Sequence, residues 1–315
     1  MNKKLISIII PMYNEEESLP YLYDRLIKLA DSIPNYRMEF LFVNDGSKDQ
    51  SLNIVKAYRK NDSRVCYLNL SRNFGKEIAM AAALDYVKGD VVTIIDADLQ
   101  DPPELIIDML KYYEEGYDDV YAKRRSRKGE ALVKKFTSHV FYRVLKVVSR
   151  VPIQEDTGDF RLLSRRAVEA LKEFPEKQRY TKGLFSLIGF KKKAIEFDRD
   201  PRVAGKTKWN YFKLVDLAIE GITSFTIAPL RLATLIGILS AVISIVFMIF
   251  TFIKTIIKGI DVPGYASLVC ILLMIGGIQL ICLGIIGEYL GRIFIEVKNR
   301  PLYFIDEYCG DEDGC

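Results

Sequence analysis

The chain has 315 residues, 50% of them hydrophobic, and carries a formal net charge of +4. That is enough length and apolar content for a sizeable core plus an accessory region, and too modest a charge to point to any partner. Five cysteines with no paired or metal-ligand spacing exclude a disulfide framework or a zinc module as the organising device and suit a reducing compartment.

Taken in order, residues 7–10 form a short apolar run that reads as a buried strand and leads through Pro11, Tyr13, Asn14 and Glu15 into a helix. Acid at a helix start is also what the helix dipole favours, so Glu15 to Glu17 have a structural reading beside any functional one. Residues 39–43 repeat the plan, ending in Asn44-Asp45-Gly46-Ser47 before a helix over 49–59. A third strand at 65–70 and a helix at 75–87 follow, then a fourth strand at 91–95 and a helix starting at Pro102-Pro103, with Asp101 as its cap. Four strand and helix alternations with short connections predict an α/β fold with a doubly wound, mostly parallel sheet.

The fourth strand ends in Asp96 and Asp98. Two residues apart in extended chain, they leave on one side and can share a cation, or they belong to an acidic, solvated loop. The chain has no G-x-G-x-x-G after its first strand and no phosphate-loop motif, which disfavours a dinucleotide dehydrogenase or a P-loop ATPase. A nucleotide held without a glycine cradle needs its diphosphate neutralised otherwise, and Mg²⁺ on one or two carboxylates plus substrate phosphates is one such device. A fifth strand at 119–122 runs into the basic segment Lys123 to Gly129, which is either a surface loop or an anion clamp; it lacks the aromatic interleaving of a nucleic-acid binder, so no nucleic-acid partner is expected. The single histidine, His139, sits in an apolar helical pattern and reads as packed.

After about Ala228 the composition changes. Residues 232–253 and 266–286 are each close to the ~20 apolar residues that cross a bilayer, and 211–225 have the rhythm of an interfacial helix. Lys206, Lys208, Lys213 and Arg231 precede the first stretch and Arg292, Lys298 and Arg300 follow the second, so the positive-inside rule puts both termini in the cytoplasm of a multi-pass cell-membrane protein. Gly276, Gly277, Gly284 and Gly287 could support packing into a homo-oligomer. The last residues, 310–315, read as a disordered acidic end.

The ordered motifs SIIIPMYNEEESL, FVNDGSKDQS, SRNFGKEIAMAAAL, DADLQDPPE and DTGDFRLLSR resemble the family-two glycosyltransferases of the GT-A fold. They are most similar to the polyprenyl-phosphate branch, which includes dolichol-phosphate mannose synthase and the bactoprenol glucosyltransferases. The resemblance implies a cytoplasmic GT-A domain over 1–209, an interfacial helix over 210–227, a transmembrane hairpin over 228–295 and a tail over 296–315. It implies metal-dependent, inverting transfer of one sugar from a nucleotide diphosphate sugar, UDP-glucose or UDP-N-acetylglucosamine, to undecaprenyl phosphate. Pro11, Tyr13, Glu15, Asp45, Lys76 and Asp96 are then expected around the donor nucleotide, and Asp96, Asp98 and Gln100 around Mg²⁺ or Mn²⁺. Arg124 and Arg127 are expected on the acceptor phosphate, Arg202 and Lys206 near the donor diphosphate, and Asp159, with Asp156 in reserve, beside the sugar's anomeric carbon as the catalytic candidate, a base or an orienting charge, with Arg161 as its partner. The alternatives are a membrane-anchored transferase acting on a glycan or protein and, from another class, a lipid-carrier flippase or scaffold.

Overall fold

The computed structural model describes residues 3–125, 157–177, 179, 181–198, 223, 226–258 and 264–310. Its strands are β1 (Leu5–Met12), β2 (Arg37–Asn44), β3 (Val65–Leu70), β4 (Val91–Ile94), β5 (Asp119–Arg124), β6 (Thr157–Ser164), β7 (Lys192–Phe197) and β8 (Ile305–Cys309). Its helices are α1 (Leu19–Ser32), α2 (Ser51–Asn61), α3 (Lys76–Tyr86), α4 (Leu105–Glu114), α5 (Arg165–Lys172), α6 (Thr181–Leu187), α7 (Ala228–Lys258) and α8 (Tyr265–Lys298).

The strands form one sheet in the order β7-β5-β6-β4-β1-β2-β3-β8. Parallel pairing joins β4 to β1, β1 to β2 and β2 to β3. These strands are continuous apolar runs because both faces are covered: Ile6, Ile8 and Ile10 pack under α1 and α4, while Ile9, Leu41 and Val92 pack under α3 and α5. The buried face of α3 includes Ala79, Ala82 and Ala83, small side chains that let the helix lie close to the sheet.

Two strands run against the rest. β6 is antiparallel to both β4 and β5, and β8 is antiparallel to β3. β8 belongs to the segment after the hydrophobic helices, yet it closes the sheet edge: Tyr67 donates to Glu307 (2.6 Å), Asn69 to Asp306 (2.9 Å), and Arg59 to the Gly310 carbonyl (2.7 Å). Local alternation cannot announce such a return, because the pairing spans more than 230 residues of chain. Cys309, at the end of β8, is disulfide-bonded, which corrects the expectation of unpaired cysteines.

α7 and α8 are of a different kind. With 31 and 34 residues they are about 46 and 51 Å long at 1.5 Å per residue, against a hydrocarbon core of about 30 Å. Within them, 228–247 and 274–298 are apolar enough to cross a membrane and almost entirely unburied. The end of α8 reaches back to the α/β unit, where Lys177 N donates to Glu296 (2.8 Å). The expected interfacial helix at 210–227 lies mostly outside the described residues.

Candidate active site

The carboxyl ends of β1, β2 and β4 converge with the loop after β3, and the local sequence explains how they are tied together. Asp45 follows β2 and is buried; its two oxygens accept from Phe74 N (2.7 Å) and Gly75 N (3.0 Å), while its own N–H bonds the Met12 carbonyl (3.0 Å). Burial raises its pKa and the two N–H bonds counter that rise. Gly46 has φ +67, and a Cβ there would lie 2.5 Å from the Arg72 backbone carbon, so only glycine lets the loops approach this closely. Asn14, also left-handed at φ 54, accepts from Lys48 N (2.8 Å), and Glu15 N donates to Ser51 (2.8 Å). Pro11 is buried on β1 opposite Val43, and Tyr13 and Glu15 are half-buried beside this seam.

The reversal of β6 brings in the second half of the site. Ile94 is in register with Arg161 in an antiparallel pair, so Asp159, two residues before Arg161, stands beside Asp96, two residues after Ile94. Lys76, which opens α3, reaches between them: its Nζ is 2.5 Å from an oxygen of each carboxylate. Burial would lower the Lys76 pKa, but Asp159 and Asp96 outweigh it and raise it above the ordinary lysine range. Burial would raise the pKa of Asp159, but the charges of Lys76 and Lys182 hold it well below the ordinary carboxylate range. The other Asp159 oxygen, Oδ1, is buried without a hydrogen-bond partner among the described residues.

After Asp96 the chain turns sharply. Leu99 has φ 57 although it is not glycine, a conformation costing on the order of 1 kcal/mol or more, and its fully buried side chain holds it there. This turn keeps Asp98 at 9% exposure with Gln100 N on its Oδ1 (3.2 Å). Asp101 does not cap the following helix, which begins later, at Leu105. It is buried instead near Arg124: around Gly158 the Arg124 guanidinium and the Asp101 carboxylate lie 3.8 and 3.9 Å from where a Cβ would stand. Arg124 thus reaches the start of β6.

As a metal site, the donor set is two carboxylates and one amide. Among the described residues no group of three or more His, Cys, Asp or Glu could hold a metal alone. Asp96, Asp98 and Gln100 still fit Mg²⁺ or Mn²⁺, hard cations that take oxygen donors and leave positions for phosphate oxygens. The concentration of acid here is already evident in the ammonium that Asp96 and Asp159 share.

Arg161 acts on Asp159 through its charge and not through an ion pair among the described residues. It pairs with Asp119 on β5 at 3.1 Å, both side chains fully buried, and its guanidinium stacks 3.6 Å from the Phe185 ring centroid. Sequence reasoning also missed Glu77, which accepts from the N–H (3.1 Å) and the hydroxyl of Thr181; burial pushes its pKa up to about 7, with the Asp159 charge adding to the rise. A helix-start acid after Lys76 was the only local signal, and it does not name Thr181. Asp156, Arg127, Arg202, Lys206 and His139 lie outside the described residues.

Residues 7–172 match the family model Glycosyl transferase family 2, and residues 228–293 match GtrB C-terminal hairpin. The chain is 49% identical to an uncharacterized glycosyltransferase of Synechocystis sp. over 98% of this chain and 96% of that one. It is 44% identical to the uncharacterized glycosyltransferase YkcC of Bacillus subtilis over 98% and 95%, and 44% identical to the bactoprenol glucosyl transferase of Shigella phage SfII over 95% and 97%. The family model spans more than half of the chain and these relatives align along nearly all of it, so the chain belongs to the family 2 glycosyltransferases.

Proposed function

We propose that this glycosyltransferase moves a single sugar, with inversion, from a nucleotide diphosphate sugar to undecaprenyl phosphate at the cytoplasmic membrane face, with Mg²⁺ or Mn²⁺ as cofactor. The donor is UDP-glucose or UDP-N-acetylglucosamine. The observation that carries this reading is the meeting of Asp96, Asp159 and Lys76 at the carboxyl ends of parallel strands, in a chain that continues into two bilayer-length helices. The acceptor is supported by relatives named bactoprenol glucosyl transferase that span nearly the whole chain.

Each residue then has a role. Pro11, Tyr13, Glu15 and Asp45 shape the base and ribose pocket, Asp45 by bracing the 73–75 loop. Asp96, Asp98 and Gln100 would hold the cation, which when bound offsets charge on the departing diphosphate. Lys76 stands ready for phosphate oxygens. Arg124 and Arg127 take the acceptor phosphate, Arg202 and Lys206 approach the donor diphosphate, and Asp156 backs up Asp159. A carboxylate held as strongly ionised as Asp159 is a poor base, and a phosphate monoester, with a second pKa of about 6, needs little deprotonation. Asp159 therefore orients the reactants and balances charge.

The same reading assigns residues 1–209 to the catalytic domain, 210–227 to the interface, 228–295 to the hairpin and 296–315 to the tail. A strand before the hairpin and one after it share a sheet, which supports an even number of crossings and both termini on one side, and the flanking Lys and Arg residues support the cytoplasm. The test is a panel of nucleotide sugars offered to the purified full chain with undecaprenyl phosphate, with Mg²⁺, Mn²⁺ or a chelator. One uridine donor should give a lipid-linked product that chelation abolishes; full activity in chelator removes the metal from the reading.

A further inference from the structure

α6 is held against the active site at both ends. At its start, the N–H and the hydroxyl of Thr181 both donate to the Glu77 carboxylate, and Glu77 directly follows Lys76. Near its end, Phe185 lies on the Arg161 guanidinium at 3.6 Å, and the Phe185 carbonyl accepts from Lys192 (2.6 Å). Arg161 stands two residues beyond Asp159 on β6, so both braces connect α6 to residues that frame the Lys76, Asp96 and Asp159 cluster. Thr181 and Phe185 are buried, which fixes the helix, whereas Lys182 between them is only half-buried.

The Lys182 ammonium is close enough for its charge to act on Asp159, yet among the described residues its side chain makes no hydrogen bond or ion pair, and Lys76 already takes the bonded oxygen of Asp159. A long cationic side chain rooted next to the Glu77 to Thr181 brace, with no bonded partner among the described residues, suits an anion that arrives from outside. The charge balance asks for one. Under the proposed function, a donor diphosphate and an acceptor phosphate must both enter beside Asp96, Asp98 and Asp159, and each positive group facing them reduces that repulsion.

We propose that Lys182 is a further phosphate-binding residue of this active site, presented by α6 and positioned by the Glu77 to Thr181 brace. The proposal rests on the glycosyltransfer reading above. Its ligand chemistry is a phosphate oxygen, from either the donor diphosphate or the lipid phosphate.

The experiment uses the full-length enzyme in detergent or vesicles. For native, Lys182→Gln and Lys182→Arg, it measures UDP binding by calorimetry without acceptor, KM and kcat for undecaprenyl phosphate, and the melting temperature. Losing one charge-assisted hydrogen bond should cost about 10- to 100-fold. A weaker UDP affinity in Lys182→Gln identifies the donor, and a raised acceptor KM with unchanged UDP affinity identifies the lipid phosphate. Lys182→Arg should recover most of the loss, and the melting temperature should stay within a few degrees. Glu77→Ala should shift the same parameter in the same direction as Lys182→Gln, and Glu77→Gln, which keeps an oxygen acceptor for Thr181, should restore it. If Lys182→Gln binds UDP and turns over lipid phosphate within twofold of native, Lys182 holds no phosphate and the proposal falls while the function stands. If native enzyme neither binds UDP nor uses the lipid phosphate, the function and the proposal fall together.

Discussion

Ile8 on β1 and Ile243 on α7 are the same residue type in opposite surroundings. Ile8 has no exposed surface and Ile243 is 67% exposed. In the sheet, apolar side chains are covered by the protein's own helices, and polar groups collect at the strand ends where chemistry can occur. In the hairpin, apolar side chains face outward almost everywhere, an arrangement that water penalises and a lipid phase does not. The difference teaches that one part of the chain folds by burying its core and the other by finding a bilayer. β8 binds the two together, since the chain that leaves α8 becomes an edge of the catalytic sheet.

The sharpest way to separate the two regions is to remove chemistry without removing fold. Asp98→Asn changes one carboxylate at the end of β4, and transfer should fall on the order of 10³-fold or more with an unchanged melting temperature; a radiolabel transfer assay run beside a thermal melt checks both. Next in size is Asp119→Asn. It leaves Arg161 buried without its charge partner and should destabilise the α/β unit by about 3–5 kcal/mol, read as a shift in the urea midpoint of detergent-solubilised protein.

A direct break of the opening comparison comes from matched truncations. Ile8→Ala should cost about 2–5 kcal/mol because its cavity cannot refill, whereas Ile243→Ala should change urea stability of the α/β unit by less than about 1 kcal/mol. Equal effects would mean that the hairpin side chain is packed in a protein core after all.

The smallest effect is a pH dependence. The Glu77 carboxyl is raised to about 7 in the folded chain from an ordinary 4.5, so between these values the folded state binds more protons than the unfolded one. Stability from this group is full below about 4.5 and is lost as pH rises towards 7. The difference in melting temperature between native and Glu77→Gln should therefore drift against native from pH 5 to 7 and level off above 8. A flat difference would place Glu77 in a more watery setting.

Much of this was legible in the sequence for a physical reason. A strand buried on both faces must be an apolar run, so β1 to β5 stood out, and an acidic pair at the end of one marked Asp96 and Asp98. The resemblance carried Asp159 and Lys76 to the same place, but neither motif revealed that Lys76 would bridge two acids. β6 and β8 were not legible as antiparallel, because their direction is set by partners far away in the chain. Arg161 misled for a related reason: its nearest acid in sequence is Asp159, while the antiparallel register places Asp119 on the neighbouring strand. Glu77 read as an ordinary helix-start acid because Thr181 is 104 residues away.

The most direct test of the central claim is competition between acceptors. Purified full-length enzyme in vesicles receives radiolabelled UDP-glucose or UDP-N-acetylglucosamine, a divalent cation, and equal amounts of undecaprenyl phosphate and a soluble glycan. The account predicts label in the organic phase, as a monoglycosylated lipid phosphate whose anomeric configuration is inverted from the donor. Label confined to the soluble glycan, with the lipid phosphate unmodified, would contradict it.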